Sequence, residues 1–153
     1  MALFPTLALI LLAQGEKPTA TVKLASATAI VGQPVKGTLT LTIPEGMHGY
    51  QNPPADEYEN PIKLGIIESG FKLVKVAYPK GASMTMEGAQ KPTMVYEGAI
   101  SIPFTFVATK PAARAVSFRI DYQLCTASSC FPPSSVVVKT AIKSVAAPKK
   151  GKA

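Results

Sequence analysis

Alternation of apolar and polar residues is the strongest pattern along this chain, and it predicts β-strands. The clearest run is Val35 to Ile43, where apolar side chains alternate with lysine and threonine. A period of two places successive side chains on opposite faces of a half-buried strand. Similar runs lie at residues 19–24, 62–67, 71–78, 94–108, 116–124 and 136–145. We therefore expect an all-β protein.

Three features interrupt this pattern. Residues 44–61 are rich in proline, and residues 79–93 are polar and contain glycine and methionine. We expect both segments to be loops, and long ordered loops in compact domains are often functional. The run 94–108 predicts either one long strand or a bent pair. Pro103 within it favours an edge strand or a bulge, because proline has no amide hydrogen for the ladder.

The first fifteen residues have the pattern of a secretory signal peptide. The apolar run from Leu3 to Ala13 is too short to cross a bilayer, which takes about 20 residues. The small residues Ala13 and Gly15 offer a cleavage site. We expect the mature protein to start near Gln14 or Glu16 and to be periplasmic or secreted, without a stable membrane anchor. The alternative is a buried N-terminal strand.

Length and composition indicate one domain. The chain has 153 residues with fourteen prolines, eleven glycines and no tryptophan, which suits short strands joined by turns. We expect a single β-domain at 16–145 and a disordered basic tail at 146–153. The net charge is +7, but the lysines look scattered along the sequence and no aromatic residues interleave with them. This favours a role in solubility, with weak attraction to acidic surfaces, over nucleic-acid binding.

Both cysteines of the chain lie in one short stretch. Cys125 follows the run 116–124, and Cys130 precedes two prolines and a new β-branched run. The four residues between them read as a hairpin loop. Residues that face each other across such a hairpin have Cα atoms about 4.5–5.5 Å apart, which allows a disulfide. The spacing therefore predicts that Cys125 and Cys130 can pair.

A disulfide that closes so short a loop contributes little to the stability of the fold. The loop-closure entropy corresponds to about 2 kcal/mol, less than for a long loop. Pro132 and Pro133 remove two backbone donors after Cys130, so the ladder should fray there and leave the pair accessible. We expect a reactive disulfide, and the alternative is a structural bond in a secreted β-domain. Two cysteines and the distant His48 do not make a metal site, so we expect no metal ion.

Four stretches in order resemble the N-terminal domain of the DsbD family of thiol:disulfide interchange proteins. They are 46–53 (GMHGYQNP), 61–64 (PIKL), 95–98 (VYEG) and the cysteine stretch 122–133 (YQLCTASSCFPP). The resemblance covers roughly residues 18 to 145. It implies an immunoglobulin-like β-sandwich with a cysteine-bearing hairpin. It also implies a thiol–disulfide oxidoreductase that needs no cofactor.

The resemblance also implies roles for single residues. Cys130, the second cysteine, would form the mixed disulfide with a partner, and Cys125 would resolve it. His48 and Tyr50 match positions where the family carries two tyrosines beside the pair. For His48 the alternative is a surface histidine in a turn. Further candidate binding residues are the methionines of a cap loop at 79–93 and two residues flanking the cysteines, namely Met84, Met86, Tyr122 and Phe131.

For residues 79–93 the alternative to a cap is an ordinary mobile loop. The partners implied by the family are thioredoxin-like periplasmic proteins and a membrane thiol reductase, which would act in trans. The chemistry would be thiol–disulfide exchange. The second functional hypothesis is a non-catalytic immunoglobulin-like binding domain whose disulfide is structural.

Overall fold

The computed structural model describes residues 16–149 and residue 151, and this part of the chain is built from β-strands. The predicted signal peptide, 1–15, lies outside the described residues, as does part of the predicted tail. Within the described part, no helix has the length and apolar character needed to cross a membrane. The strands are β1 (Thr19–Leu24), β2 (Thr28–Ile30), β3 (Pro34–Thr42), β4 (His48–Tyr50), β5 (Lys63–Ile66), β6 (Phe71–Val76), β7 (Ala82–Met84), β8 (Thr93–Tyr96), β9 (Ala99–Ala108), β10 (Ala115–Tyr122), β11 (Leu124–Cys125), β12 (Ser134–Ala141) and β13 (Lys143–Val145).

Two antiparallel sheets form an immunoglobulin-like sandwich. One sheet has the order β1-β3-β9-β6 and the other has the order β12-β10-β5. A third antiparallel sheet, in the order β11-β4-β8-β7, carries the cysteine hairpin. The short strands β2 and β13 form a parallel pair. The predicted all-β class is confirmed.

Aromatic side chains fill the space between the two main sheets. Phe104 and Phe106 of β9 meet Phe118 of β10, with ring centroids 4.9 Å and 5.8 Å from it. Phe106 and Phe118 are fully buried. Offset and edge-to-face aromatic contacts of this kind add to the stability that burial provides. The apolar positions of the alternating pattern therefore form the inner faces of a sandwich.

The run 94–108 is a bent pair. It divides at Glu97–Gly98, where Gly98 adopts φ 61°, and its two strands belong to different sheets. Of the two positions expected for Pro103, the edge is wrong, because β9 lies between β3 and β6. The β6–β9 ladder does have an irregularity nearby, between Leu73 and Lys75 of β6, where Lys75 lies opposite Thr105. The Pro103 carbonyl accepts a hydrogen bond from Ala77, at 2.8 Å, just beyond the end of β6. In an antiparallel sheet the amide and the carbonyl of one residue point to the same side of the strand. The amide hydrogen that Pro103 lacks would therefore point towards the place where the pairing of β6 with β9 ends.

The two predicted loops each contain a short strand, so the prediction of continuous loops is wrong. The segment 44–61 includes β4, and 79–93 includes β7. Both strands pair with β8, from opposite sides. Three residues are too few to show a period of two, so the pairing comes from tertiary contacts rather than from a local pattern.

A glycine in the middle of the first sheet allows close packing. Gly37 lies directly opposite Phe104 in the β3–β9 ladder. A Cβ atom added to Gly37 would lie 2.7 Å from Cε2 of Phe104 and 3.0 Å from Cδ2 of Leu24. Since Phe104 is only 3% exposed and is held by neighbouring rings, it has little room to move away.

We expect Gly37→Ala to lower the free energy of unfolding by about 1–3 kcal/mol, as overpacking of a filled core does. The matched control is Gly65→Ala on β5, where the nearest atom to an added Cβ is 3.8 Å away; it should change stability little. Chemical denaturation of both variants measures the difference. Equal effects of the two substitutions would contradict this account of the core.

Candidate functional site

The cysteine hairpin continues directly from β10. After Tyr122 and one linking residue, β11 leads to a tip closed by a 2.7 Å hydrogen bond from the Thr126 amide to the Ser129 carbonyl. Below the cysteines, the Phe131 amide donates to the Leu124 carbonyl at 2.9 Å. The predicted hairpin is confirmed. Its tip is tight, because Thr126 and Ser129 already pair with each other.

Cys125 and Cys130 form a disulfide, as the spacing predicts. Their Cα atoms are 3.9 Å apart, closer than the expected cross-strand distance. The two residues differ sharply in exposure: Cys125 is 0% exposed, whereas Cys130 is at the surface. The bond therefore joins one sulfur atom held in the interior to one carried by an exposed residue.

Strand β4 brings two further side chains to this hairpin. It pairs with β11, with His48 opposite Cys125 and Gly49 opposite Leu124. A Cβ atom on Gly49 would lie 2.8 Å from Cδ1 of Ile62, so the glycine lets β4 lie close to that side chain. The resemblance placed His48 and Tyr50 beside the cysteines, and the pairing of β4 with β11 provides the structural basis.

The hydroxyl group of Tyr50 reaches both sulfur atoms. It lies 3.7 Å from Sγ of Cys125 and 3.8 Å from Sγ of Cys130. Because the bonded sulfurs carry no hydrogen, the tyrosine is the donor in these long contacts. Burial, with a smaller contribution from the negative charge of Glu59, raises the pKa of Tyr50 above its ordinary value. The hydroxyl therefore keeps its proton at neutral pH.

His48 is a buried residue, so the alternative of a surface histidine in a turn is wrong. It is 2% exposed, and its ring meets the ring of Tyr50 edge-on at a centroid distance of 6.3 Å. Its Nε2 atom is buried without a hydrogen-bond partner among the described residues. Burial lowers the pKa of His48 below 6.5, and the charge of Glu97 opposes this only in part. The imidazole is therefore neutral at neutral pH.

Polar side chains that the sequence analysis missed hold the loop 51–61 in place. Nδ2 of Asn60 donates to Oε1 of Gln123 at 2.8 Å, next to the cysteine hairpin. Nδ2 of Asn52 donates to the Ile62 carbonyl at 3.0 Å. The asparagines of this proline-rich segment could have predicted such bonds, because amide side chains commonly bond to backbone groups in turns.

A partly apolar groove lies beside the exit of the hairpin. It has a volume of about 390 Å³. Two of the predicted binding residues line it: Tyr122, which is largely buried, and Phe131, which is partly exposed. Its other apolar walls come from Leu124, Pro132 and Pro133, and Glu16, Lys17 and Ser134 form its polar walls. An exposed cysteine next to a partly apolar groove gives a partner chain both a reactive group and a contact surface.

The methionines proposed as a shield lie on β7 and in the loop that follows it. Met84 ends β7, where it pairs with Thr93 of β8. Strands β8 and β4 lie between β7 and the cysteine strand β11, a separation of about 14 Å at the usual strand spacing. Met86 follows in the loop after β7 and is partly buried. The structure therefore brings His48 and Tyr50 to the cysteines by strand pairing, and Met84 lies at the opposite edge of the same sheet.

Comparison with known proteins identifies relatives of this fold. The N-terminal domain of Neisseria meningitidis DsbD in the reduced form aligns with a TM-score of 0.50 and 16% identity, over 70% of this chain and 77% of that chain. The N-terminal periplasmic domain of ScsB from Proteus mirabilis aligns with a TM-score of 0.62 and 11% identity, over 83% of this chain and 47% of that chain. These identities establish a shared fold alone. No curated protein sequence matches the chain.

The sequence itself supplies the stronger result. The family model described as "Thiol:disulfide interchange protein DsbD, N-terminal" matches residues 17–142. This range includes the sandwich, the third sheet and the complete cysteine hairpin. The resemblance drawn from the four sequence stretches is thereby confirmed. The chain belongs to the family of N-terminal domains of the thiol:disulfide interchange protein DsbD.

Proposed function

We propose that this protein is a periplasmic thiol:disulfide interchange module, which passes reducing equivalents through Cys125 and Cys130 to thioredoxin-like partner proteins. The main supporting observation is the asymmetry of the disulfide, with Cys125 fully buried and Cys130 at the surface. Strained or exposed disulfides are the ones that exchange readily. Family membership supports the same chemistry.

In the donating direction, the reduced protein carries two thiols. The Cys130 thiolate attacks one sulfur of the partner's disulfide, forming a mixed disulfide and releasing the partner's second sulfur as a thiolate. The Cys125 thiolate then attacks Sγ of Cys130 and displaces the partner. The partner takes up two electrons and two protons in total, and this protein returns to the disulfide form described above.

In the accepting direction, a dithiol reductase acting in trans restores the thiols. We assign this role to a membrane thiol reductase, as the family resemblance implies. Its thiolate attacks Sγ of the exposed residue Cys130, and Cys125 leaves as a thiolate. The reductase's second thiol then resolves the mixed disulfide and becomes oxidised. A leaving thiolate in the interior needs stabilisation, and the Tyr50 hydroxyl is positioned to donate a hydrogen bond to it.

His48 has a separate role in this proposal. Since burial keeps the imidazole neutral, it does not stabilise a thiolate as a positive charge at neutral pH. A cross-strand pair has Cβ atoms about 5 Å apart on one face of the sheet. His48 and Cys125 form such a pair, so the unpartnered Nε2 is a candidate acceptor of a hydrogen bond from the Cys125 thiol.

The proposed periplasmic location rests on two supports. The related ScsB domain is described as periplasmic, and the first fifteen residues have the pattern of a signal peptide. A periplasmic setting also tolerates disulfides, which cytosolic proteins rarely keep. The competing function, a binding domain with a structural disulfide, predicts that neither cysteine exchanges with a partner thiol. The trapping experiment below separates the two.

We expect Cys125→Ala to form a stable mixed disulfide and Cys130→Ala to form it at least about tenfold more slowly, because the remaining thiol of Cys130→Ala is buried. The probe is a thioredoxin-fold protein with a single active-site cysteine, activated as its mixed disulfide with thionitrobenzoate. Release of thionitrobenzoate gives the rate, and a non-reducing gel shows the complex. Equal rates, or trapping through Cys125 alone, would overturn the assignment; no trapping by either variant would favour the structural disulfide.

We expect Tyr50→Phe to raise the pKa of the reacting thiols by about one unit in the reduced protein. A hydrogen bond to a charged group is worth about 1.5–3 kcal/mol, and the long oxygen–sulfur distances favour the low end. The pH dependence of alkylation by iodoacetamide measures this pKa. Tyr58→Phe is the control, since Tyr58 is 86% exposed. Identical profiles for both variants and the unmodified protein would remove Tyr50 from the mechanism.

We also expect the burial of His48 to make the free energy of unfolding depend on pH. A buried base whose pKa is lowered in the folded state binds its proton more readily when unfolded, so stability is full above pH 6.5 and falls as the pH drops below that value. The chain has one histidine, so His48→Phe removes this transition completely. Denaturation between about pH 8 and about pH 5 should show a smaller loss for the variant. Parallel curves would show that His48 is not buried in its neutral form.

A further inference from the structure

Charged residues separate along the long axis of the sandwich, although the lysines are scattered along the sequence. In an antiparallel sheet every second connection lies at the same end. The connections at the end opposite the cysteine hairpin bond to one another. The Gly32 amide donates to the Ala108 carbonyl at 2.9 Å, and the Thr109 amide donates to the Gly70 carbonyl at 2.8 Å. The pairing partners of the strands then show which end of the sandwich each described segment lies at. We call the part formed by residues 23–38, 66–75, 103–118 and 138–149 the basic half, and the remainder the cysteine half.

The basic half carries nine lysine and arginine residues and one acidic residue, Glu68. All nine are exposed: Lys23, Lys36, Lys72, Lys75, Lys110, Arg114, Lys139, Lys143 and Lys149. The described cysteine half carries five basic residues against eight acidic ones. The one salt bridge among the described residues, Arg119–Asp121, belongs to the cysteine half. The cations of the basic half are therefore free to meet an external negative charge.

Two of the three large aliphatic side chains that are exposed in the described chain accompany these cations, and the third, Val137, belongs to the cysteine half. Ile67 is 55% exposed and Val74 is 60% exposed, and both belong to the basic half. Val74 lies at the irregularity of β6, between Lys72 and Lys75. The large exposed aromatic residue of the described chain, Tyr58, belongs to the cysteine half. Single-stranded nucleic acids are bound by stacking on aromatic rings, whereas aliphatic residues among lysines suit the interface of a lipid bilayer.

We propose that the basic half docks on the surface of an anionic phospholipid membrane. Lysine ammonium groups act as compact point charges that follow a negative surface without a fixed geometry. Each lysine near such a surface strengthens binding by about fivefold, and the effect falls off over a Debye length. Ile67 and Val74 would enter the interfacial layer. The start of the tail adds charge on the same side, because Lys149 follows β13.

This orientation directs the cysteine hairpin away from the membrane. Strand β3 runs from the basic half to the cysteine half over nine residues, about 27 Å at the usual rise. Cys130 would then face partners in solution while the opposite end stays on the lipid. The proposal is independent of thiol chemistry. A variant with both cysteines replaced by alanine should bind lipid as the unmodified protein does, so failure of either proposal leaves the other testable.

The experiment is co-sedimentation of the purified protein with vesicles of phosphatidylcholine, with and without phosphatidylglycerol. We expect binding only to the vesicles that contain phosphatidylglycerol, and loss of binding as salt rises from about 0.05 M to about 0.5 M. The double variant Lys36→Glu, Lys72→Glu should weaken binding by more than about tenfold. The control Lys63→Glu, Lys91→Glu makes the same charge change in the cysteine half and should weaken it by less than about threefold.

A second pair of variants distinguishes lipid from other polyanions. Ile67→Ser, Val74→Ser keeps the net charge, so it should weaken vesicle binding severalfold and leave binding to immobilised heparin unchanged. Three results would overturn the proposal. They are absence of binding to phosphatidylglycerol at low salt, equal weakening by the two charge-reversal pairs, and tighter binding to heparin with no effect of the serine variants on vesicle binding.

Discussion

The pairing of β4 with the cysteine strand is the constraint on which the site depends. A strand of three residues has too few hydrogen bonds to be stable by itself, so its position comes from the elements on both sides. Strand β8 holds one edge and β11 holds the other. Side-chain amides of the following loop bond to the neighbouring backbone and to Gln123. The chemical environment of the disulfide is therefore set by contacts between segments about 75 residues apart in the sequence, such as Tyr50 and Cys125.

The sandwich and the site have separate physical origins. The sandwich is held by the inner faces of two sheets, where Phe104, Phe106 and Phe118 pack together. The site lies outside this core, on a third sheet that begins where β10 ends. This arrangement allows a polar histidine and a tyrosine hydroxyl to be buried near sulfur without disturbing the central packing. Burial of polar groups is costly, and the one histidine is buried at the end that carries the cysteines.

The sequence predicted the long strands and the cysteine hairpin well, because a period of two reports a half-buried strand directly. Strand β1 has the predicted bounds, Thr19–Leu24. The sequence did not predict β4 or β7, since three residues show no period. The central position of Pro103 was missed because it depends on where the neighbouring strand β6 ends. The separation of charge was missed for a related reason: an antiparallel chain returns to the same end every second strand, so lysines far apart in sequence become neighbours.

The one-sided exposure of the disulfide restricts the order of events in exchange. If only Cys130 can be approached, an electron donor and an electron acceptor must use the same sulfur and the same adjacent groove of Phe131 and Pro132. They cannot be bound together, and no complex of all three proteins lies on the reaction path. Kinetically this is a ping-pong cycle, in which each partner at high concentration competes with the other. The protein would then be a carrier that visits its partners in turn, and its flux would depend on how quickly each one leaves.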